Sequence, residues 1–463
     1  MAYKRPEAVA PASLVEGSAS LTAGPAGPDR PSGAGLAQQL RTGSLPLHNY
    51  IEACLARIDA YEPAIKALLP EPGRRERLLA EAAALEVRWP DPENRPALYG
   101  LLFGAKDIFA VDGFETRAGS HLPSELFRMP EGPVVRALKD AGALLLGKTV
   151  TTEFAYFAPG PTRNPWNLAH TPGGSSSGSA AAVAAGFCAL ATGTQTIGSI
   201  SRPAAYCGVT GWKPSYERTS REGVVPFSPS LDHVGLFAAD SASLAFEAAA
   251  VTPDWRPGNF TAALHRYTDT PLVMAVPEGP YLDQAEPLAL AAFRSQLNLL
   301  RSAGFTVLSV PTFEDIDEIN DRHRRICAAD IQRVHHNWFA CYSDLYSSQT
   351  AELIRKGAVI RDDELERDKA GRLELRTRLE RQLEQAGADL WISPAAPGSA
   401  PEGLGATGSP IMNLPWTFAG LPTLALPAGI GTTGLPLGLQ LAAPFGGDEE
   451  LLAIGCVLGR VKF

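Results

Sequence analysis

Apolar side chains recur at spacings of three and four from Leu47 through Tyr50, Ile51, Cys54, Leu55 and Ile58, so they share one face of a predicted helix. Pro46 suits the first turn of that helix. A second helix is predicted over 73–88. From Leu98 the pattern changes: "LYGLLFGAKDIFAVDG" is a short apolar run, then a glycine, then a Lys-Asp pair. "VVRALKDAGALLLGKTVTTEFAY" reads as a helix over 134–141 and a buried strand over 143–146. "SAAAVAAGF" is apolar nearly all round, which predicts a core helix. "CALATGTQTIGS" reads as strand and loop, and short strands and turns continue to about residue 240.

Helices then dominate. Residues 315–345 and 363–387 are long, charged and helical, and Leu375, Leu379 and Leu383 form an i, i+4 row. "DLWISPAAP" over 389–397 is a strand. "LPTLALPAG" and "LPLGLQLAA" are two more, joined by a glycine-rich turn. No internal repeat is visible. Strands alternating with helices predict one large α/β domain over 35–463. Residues 1–34 are rich in Ala, Gly, Pro and Ser and read as a flexible extension.

Composition narrows the classes. The chain has 463 residues and a formal net charge of -9, with 45% hydrophobic and 20% charged residues. That balance suits a globular protein and argues against a nucleic-acid backbone as partner. The one basic knot, Arg322 to Arg325, follows the acidic run "EDIDEIND", as on a solvated helix whose charges suit its dipole. Six cysteines, at 54, 188, 207, 327, 341 and 456, form no CxxC pair, and several sit in apolar surroundings. A reducing cytoplasm is expected. No apolar run reaches the roughly 18 residues a membrane span needs. The N-terminus lacks the hydrophobic core of a secretion signal.

Two motif matches fail on context. "GALLLGKT" (Gly142 to Thr149) fits GxxxxGK[ST], but its variable positions are a buried strand and no helix follows. "GSSSG" (Gly174 to Gly178) fits the nucleophile elbow centred on Ser176, but a proline-rich loop precedes it where a strand is required. No histidine completes such a triad, since His233 directly follows Asp232 and the later histidines lie in undistinguished segments. None shows metal-ligand spacing, so no metal or cofactor is expected. A lysine is the next candidate base, because burial disfavours its charged form. Lys106 stands after "LYGLLFGA"; the competing reading is a buried ion pair with Asp107 or another acid.

Three segments together resemble the amidase signature family of serine hydrolases. "GLLFGAKDIFAVDG" is similar to its Gly-x-x-x-x-x-Lys-Asp segment. "TPGGSSSGSAAAVAAG" is similar to its Gly-Gly-Ser-Ser-x-Gly-Ser-Ala-Ala-Ala segment. "GTQTIGSISRPAAYCGVTGWKPS" (193–215) resembles its Gly-Thr-Asp-Thr-Gly-Gly-Ser-Ile-Arg run and the Pro-Ala-x-x-Cys-Gly and Lys-Pro that follow. The likeness runs from about residue 35 to the end. It implies a central mixed β-sheet covered by helices, with a helical, substrate-shaping region around 310–390.

Carried over, the resemblance puts the catalytic lysine at Lys106, and the bridging serine, which follows a cis peptide bond, at Ser175 after Gly174. The nucleophile falls on Ser199. Backbone N–H groups from Thr196 through Ile197 and Gly198 to Ser199 are expected to hold the oxyanion. Ser176 and Ser177 are expected to bond the loop and cap the following helix, and Asp107 and Asp232 to brace it.

Three departures stand out: Gln195 replaces the usual Asp, Ile197 the first Gly, and Ser201 the Arg, with Arg202 next. Arg202 is expected to anchor the loop to a carboxylate rather than bind substrate. Ile at 197 should resist positive φ and put bulk near the site. The implied activity is hydrolysis of a small-molecule amide, ester or carbamate, without nucleic acid or membrane, with a homodimer as the candidate assembly. The alternatives are a subunit of a glutamine-dependent amidotransferase, which Ile197 and Ser201 count against, and a non-catalytic binding protein on the same scaffold. Specificity is expected in 121–131, 159–170 and parts of 310–350 and 400–418.

Overall fold

The apolar runs pair into one sheet in the computed structural model, which describes residues 32–463. Its ten strands are β1 (Leu102–Lys106), β2 (Leu144–Thr149), β3 (Leu190–Gln195), β4 (Thr210–Lys213), β5 (His233–Ala238), β6 (Val273–Glu278), β7 (Thr306–Pro311), β8 (Leu390–Pro394), β9 (Thr423–Ile430) and β10 (Pro436–Ala442). They lie in the order β2-β1-β3-β5-β4-β9-β10-β8-β6-β7. The β2, β1 and β3 set is parallel, as is the β8, β6 and β7 set, while the strands between them are antiparallel. The expected mixed sheet is therefore present. Strands β1 to β5 are buried at every position. Helices cover such strands on both faces, which is why they read as continuous apolar runs rather than alternating ones.

Small residues bring the core helix Ser177–Ala184 close to this sheet. All eight of its residues are buried. A Cβ added to Gly178 would lie 2.2 Å from the Ala67 carbonyl oxygen and 2.3 Å from the Val150 nitrogen, so no side chain fits there. The helix follows the three-serine loop directly and fixes it against β1, β2 and β3.

The predicted amphipathic face is buried along the helix Leu47–Ile65, with Pro46 as its N-cap rather than inside its first turn. The helices Ile316–Tyr342, Ser348–Gly357 and Asp362–Ala386 occupy the predicted charged region, and Leu375, Leu379 and Leu383 are buried on it. Its basic knot is paired: Arg322 Nε lies 2.8 Å from Glu318, and Arg325 Nε lies 2.7 Å from Asp368.

Of the expected extension, residues 1–31 lie outside the described residues. Gly33 and Ala34 open the helix Gly33–Thr42, ahead of the first predicted one. Two glycines in its first turn hid it from the sequence. Its start is held from elsewhere in the chain, with the Ala34 N–H donating to Ser243 Oγ at 3.2 Å. The cysteines are free; five are buried and Cys341 is exposed.

Lys148, the lysine of the apparent phosphate motif, is buried in β2. Its Nζ lies 2.7 Å from Asp107 Oδ1, with side chains 3% and 2% exposed. Asp107 Oδ2 also accepts from the Arg117 N–H at 3.2 Å. Asp107 therefore holds β2 and the turn at Arg117 rather than the serine loop it was expected to brace, and the pair accounts for the sequence match without a phosphate. Removing one partner leaves an uncompensated buried charge. Lys148→Met is expected to destabilise the fold by about 3–5 kcal/mol in denaturant unfolding, and a loss under about 1 kcal/mol would contradict the buried pair.

Candidate active site

Lys106 is the last residue of β1 and its side chain is fully buried. Its Nζ lies 2.8 Å from Ser175 Oγ and 2.7 Å from Thr194 Oγ1. Its backbone N–H donates to Thr192 Oγ1 at 3.1 Å. Both partners of Nζ are neutral hydroxyls. The competing reading, an ion pair with Asp107, is excluded because Asp107 is held by Lys148. Burial among neutral groups pushes the Lys106 pKa well below the ordinary lysine value, with the charge of Asp232 acting in the opposite direction.

The serine loop is held from four sides. The Gly174–Ser175 peptide is cis, as the resemblance implied. The Ser175 carbonyl accepts from the Thr152 N–H at 3.2 Å. A Cβ on Gly173 would lie 2.9 Å from Pro203 Cα, and one on Gly174 would lie 2.8 Å from Thr407 Cγ2. Both glycines are therefore demanded by close packing. Ser176 Oγ accepts from the Thr194 N–H and donates to the Thr194 carbonyl, each at 3.3 Å. Ser177 Oγ donates to the Val150 carbonyl at 3.3 Å. Neither caps the helix, contrary to expectation. Their hydroxyls meet backbone groups of the neighbouring strand and loop instead.

Ser199 lies between the end of β3 and the helix Ser201–Cys207 and is 7% exposed. Its hydroxyl makes no hydrogen bond to Ser175 or to any other described residue. The backbone N–H groups of Ile197, Gly198 and Ser199 likewise donate to no acceptor among the described residues. Those of Ile200 and Ser201 both go to Gln195 Oε1, at 2.8 and 2.9 Å. Gln195 thus performs a structural task as an acceptor. Neither Ile197 nor Gly198 has positive φ. The conformation therefore does not require glycine at 197, which is why isoleucine is accommodated there.

Asp232 holds this loop from behind. It accepts from Thr196 Oγ1, and its other oxygen takes the Phe227 and Ser228 N–H groups at 3.0 and 2.9 Å. Burial pushes its pKa up to about 6. Asp330, on the helix Ile316–Tyr342, in turn accepts from Ser228 Oγ at 2.8 Å and the Ser230 N–H at 2.9 Å. Part of the 310–350 region thereby reaches the site. So does part of 400–418: a Cβ on Gly198 would lie 2.3 Å from Asn413 Oδ1 and 2.8 Å from Pro410 Cβ.

Arg202 differs from expectation. Its buried guanidinium reaches no carboxylate; it donates to the carbonyls of Gly174 and Gly408, and to Thr407 Oγ1 at 3.2 Å. Burial lowers its pKa to about 10. It joins the segment after Ser199 to the residue before Ser175. Ser201, where the family carries arginine, is fully buried with its Oγ 3.4 Å from Thr423 Oγ1.

Thr194 was missed by sequence reasoning. A two-residue alternation along β3 puts Thr192 and Thr194 on one face, and that face meets the end of β1. A cavity of about 490 Å³ opens beside Thr194 and Asp232, walled by Ile108, Val225, Phe227 and Val234. Among the described residues no group of three His, Cys, Asp or Glu could hold a metal ion, and no helix is long and apolar enough to cross a membrane.

The amidase family model matches residues 49–452. The chain belongs to the amidase family. This places it among hydrolases of carbon–nitrogen bonds. It is 33% identical over 447 residues to a glutamyl-tRNA(Gln) amidotransferase subunit of Synechococcus sp. strain WH7803, covering 87% of this chain and 91% of that protein. The corresponding subunit of Oleidesulfovibrio alaskensis is 32% identical, over 91% of this chain and 95% of its own. Among solved structures, the peptide amidase of Stenotrophomonas maltophilia superposes with a TM-score of 0.79 at 26% identity, covering 93% of this chain and 96% of that one. A protein of a complex linked to the origins of an s-triazine catabolic enzyme superposes at 0.82 with 29% identity, over 94% and 100%.

The amidase-family lysine makes stability depend on pH. The folded-state pKa of Lys106 lies below its ordinary value of 10.5. Between those two values the unfolded chain binds one more proton than the folded one, so stability rises with pH and falls as pH drops through the folded pKa. Lys106→Met is expected to flatten the slope of unfolding free energy between pH 7 and pH 10. An unchanged slope would show that Lys106 stays charged in the fold.

Proposed function

We propose that the chain cleaves carboxamide C–N bonds through an acyl-enzyme on Ser199, with Ser175 and Lys106 as its proton relay. The observation that supports this most is the Lys106 Nζ, buried without a carboxylate and 2.8 Å from Ser175 Oγ. A neutral amine there can take a proton from Ser175, and Ser175 can take one from Ser199. The Ser199 oxygen then adds to the substrate carbonyl. The relay runs in reverse to protonate the leaving amine, and water cleaves the acyl-enzyme. The unused N–H groups of Ile197, Gly198 and Ser199 are the donors for the oxyanion, with Thr196 at the edge of the same loop. Ser175 and Ser199 are not hydrogen-bonded to each other, and such catalytic contacts commonly tighten only when substrate binds.

The relay needs only a carbonyl with a leaving group, so aryl esters and carbamates fit it as well. A second reading takes glutamine as the amide and ammonia as the leaving group, within an amidotransferase. The curated relatives carry that name at 31–33% identity over most of the chain. They weigh for it more heavily than Ile197 and Ser201 weigh against it, and it requires partner subunits.

The purified chain should be assayed against aryl amides, esters, carbamates and glutamine, with intact-mass detection of the acyl-enzyme. Turnover of aryl amides by the chain alone supports the hydrolase. Release of ammonia from glutamine, rising when partner subunits are added, supports the second reading. In either case Ser199→Ala should lose on the order of 10⁴-fold or more in turnover. Lys106→Ala and Ser175→Ala should each lose most of it. Full activity in Ser199→Ala would sink both readings.

A further inference from the structure

The oxyanion loop carries a peptide whose direction is set from outside it. Gln195, at the end of β3, is fully buried, and its amide is used at both ends. Oε1 takes the Ile200 and Ser201 N–H groups, and Nε2 donates to Thr417 Oγ1 at 3.0 Å. Thr417 belongs to the helix Leu414–Ala419 and is also fully buried. Its hydroxyl has one proton. Having accepted from Gln195, it can donate to either of two carbonyls. That of Ile197 is at 2.7 Å and that of Asn413, the N-cap of its own helix, at 3.2 Å. The shorter contact is the one across to the loop.

In a trans peptide the carbonyl and the N–H of the next residue point in opposite directions. With the Ile197 carbonyl drawn toward Thr417, the Gly198 N–H is turned away from Thr417, where no acceptor among the described residues meets it. The residue type at 195 matters to this arrangement. A carboxylate could accept the two N–H groups but could not donate to Thr417. It would instead compete with the Ile197 carbonyl for the threonine proton.

The geometry points to Thr417, held by Gln195, as a positioning residue that aims the Gly198 N–H at the substrate oxyanion by gripping the Ile197 carbonyl. This rests on Ser199 being the nucleophile. It also accounts for the departure from Asp at 195, since glutamine and Thr417 form a matched donor and acceptor pair.

The test needs no knowledge of the substrate. The second-order rate of Ser199 phosphonylation by an alkyl fluorophosphonate is followed by intact mass and peptide mapping; its P=O oxygen occupies the oxyanion position. Thr417→Val removes the hydroxyl at nearly constant volume and should slow labelling about 10- to 100-fold, since a misdirected donor loses part of the 10²–10³ a deleted one costs. Thr417→Ser should restore most of the rate. Gln195→Glu keeps the acceptors but loses the donor, and should slow labelling like Thr417→Val. Thermal unfolding of each variant separates slow labelling from misfolding. If Thr417→Val does not fold, the contrast between Gln195→Glu and Thr417→Ser carries the test. Labelling of folded Thr417→Val, or of Gln195→Glu, within twofold of the wild type would overturn the inference. Wild-type labelling that survives in Ser199→Ala would instead overturn the nucleophile assignment beneath it.

Discussion

A lysine side chain with no carboxylate to pair with it, enclosed at the end of β1, is the constraint around which the site is arranged. Burial costs its charged form heavily, and two hydroxyl groups are its hydrogen-bond partners. The neighbouring acid, Asp107, is occupied by a second buried lysine, Lys148. The apparent phosphate motif in β2 therefore has a structural purpose: its lysine compensates the buried carboxylate of Asp107.

The two serine segments come from different connections and are brought into one frame by backbone contacts. Arg202 spans them, since it follows Ser199 by three residues and grips the carbonyl before Ser175. Ser176 ties the first segment to Thr194, whose own hydroxyl reaches Lys106. Asp232 and Gln195 hold the second segment from its two ends. Most of these anchors grip main-chain groups, which orients the peptide planes as well as the side chains. That suits chemistry in which backbone N–H groups do the stabilising. Asp330 extends the frame to the long helix Ile316–Tyr342.

Much of this was legible in the chain. The helix over Leu47–Ile65 showed in its spacing, and the buried strands showed as unbroken apolar runs. Three motif segments pointed to Lys106, Ser175 and Ser199; the structure puts Lys106 Nζ 2.8 Å from Ser175 Oγ, while Ser199 is hydrogen-bonded to neither. Other features were not. Thr417 lies more than two hundred positions from Ile197, and a single hydroxyl leaves no periodic trace. The partners of Arg202 were misjudged because carbonyl oxygens are present at every residue and so carry no sequence signal. The helix Gly33–Thr42 was missed because its glycine-rich start is held by Ser243, far along the chain. Long-range contacts to the backbone are the common element in each miss. Amidase-family membership, by contrast, spread over most of the chain and could be read from short segments. The substrate could not, because the cavity beside Thr194 is walled by residues as far apart in the chain as Ile108 and Val234.

The central claim is the neutrality of Lys106, and its titration measures that directly. With lysine labelled at Cε and Nζ, heteronuclear NMR across pH should show one lysine titrating well below 10.5, and that signal should vanish in Lys106→Met. A Lys106 signal that titrates at or above that ordinary value would contradict the account, because an amine that keeps its proton cannot be the base for Ser175.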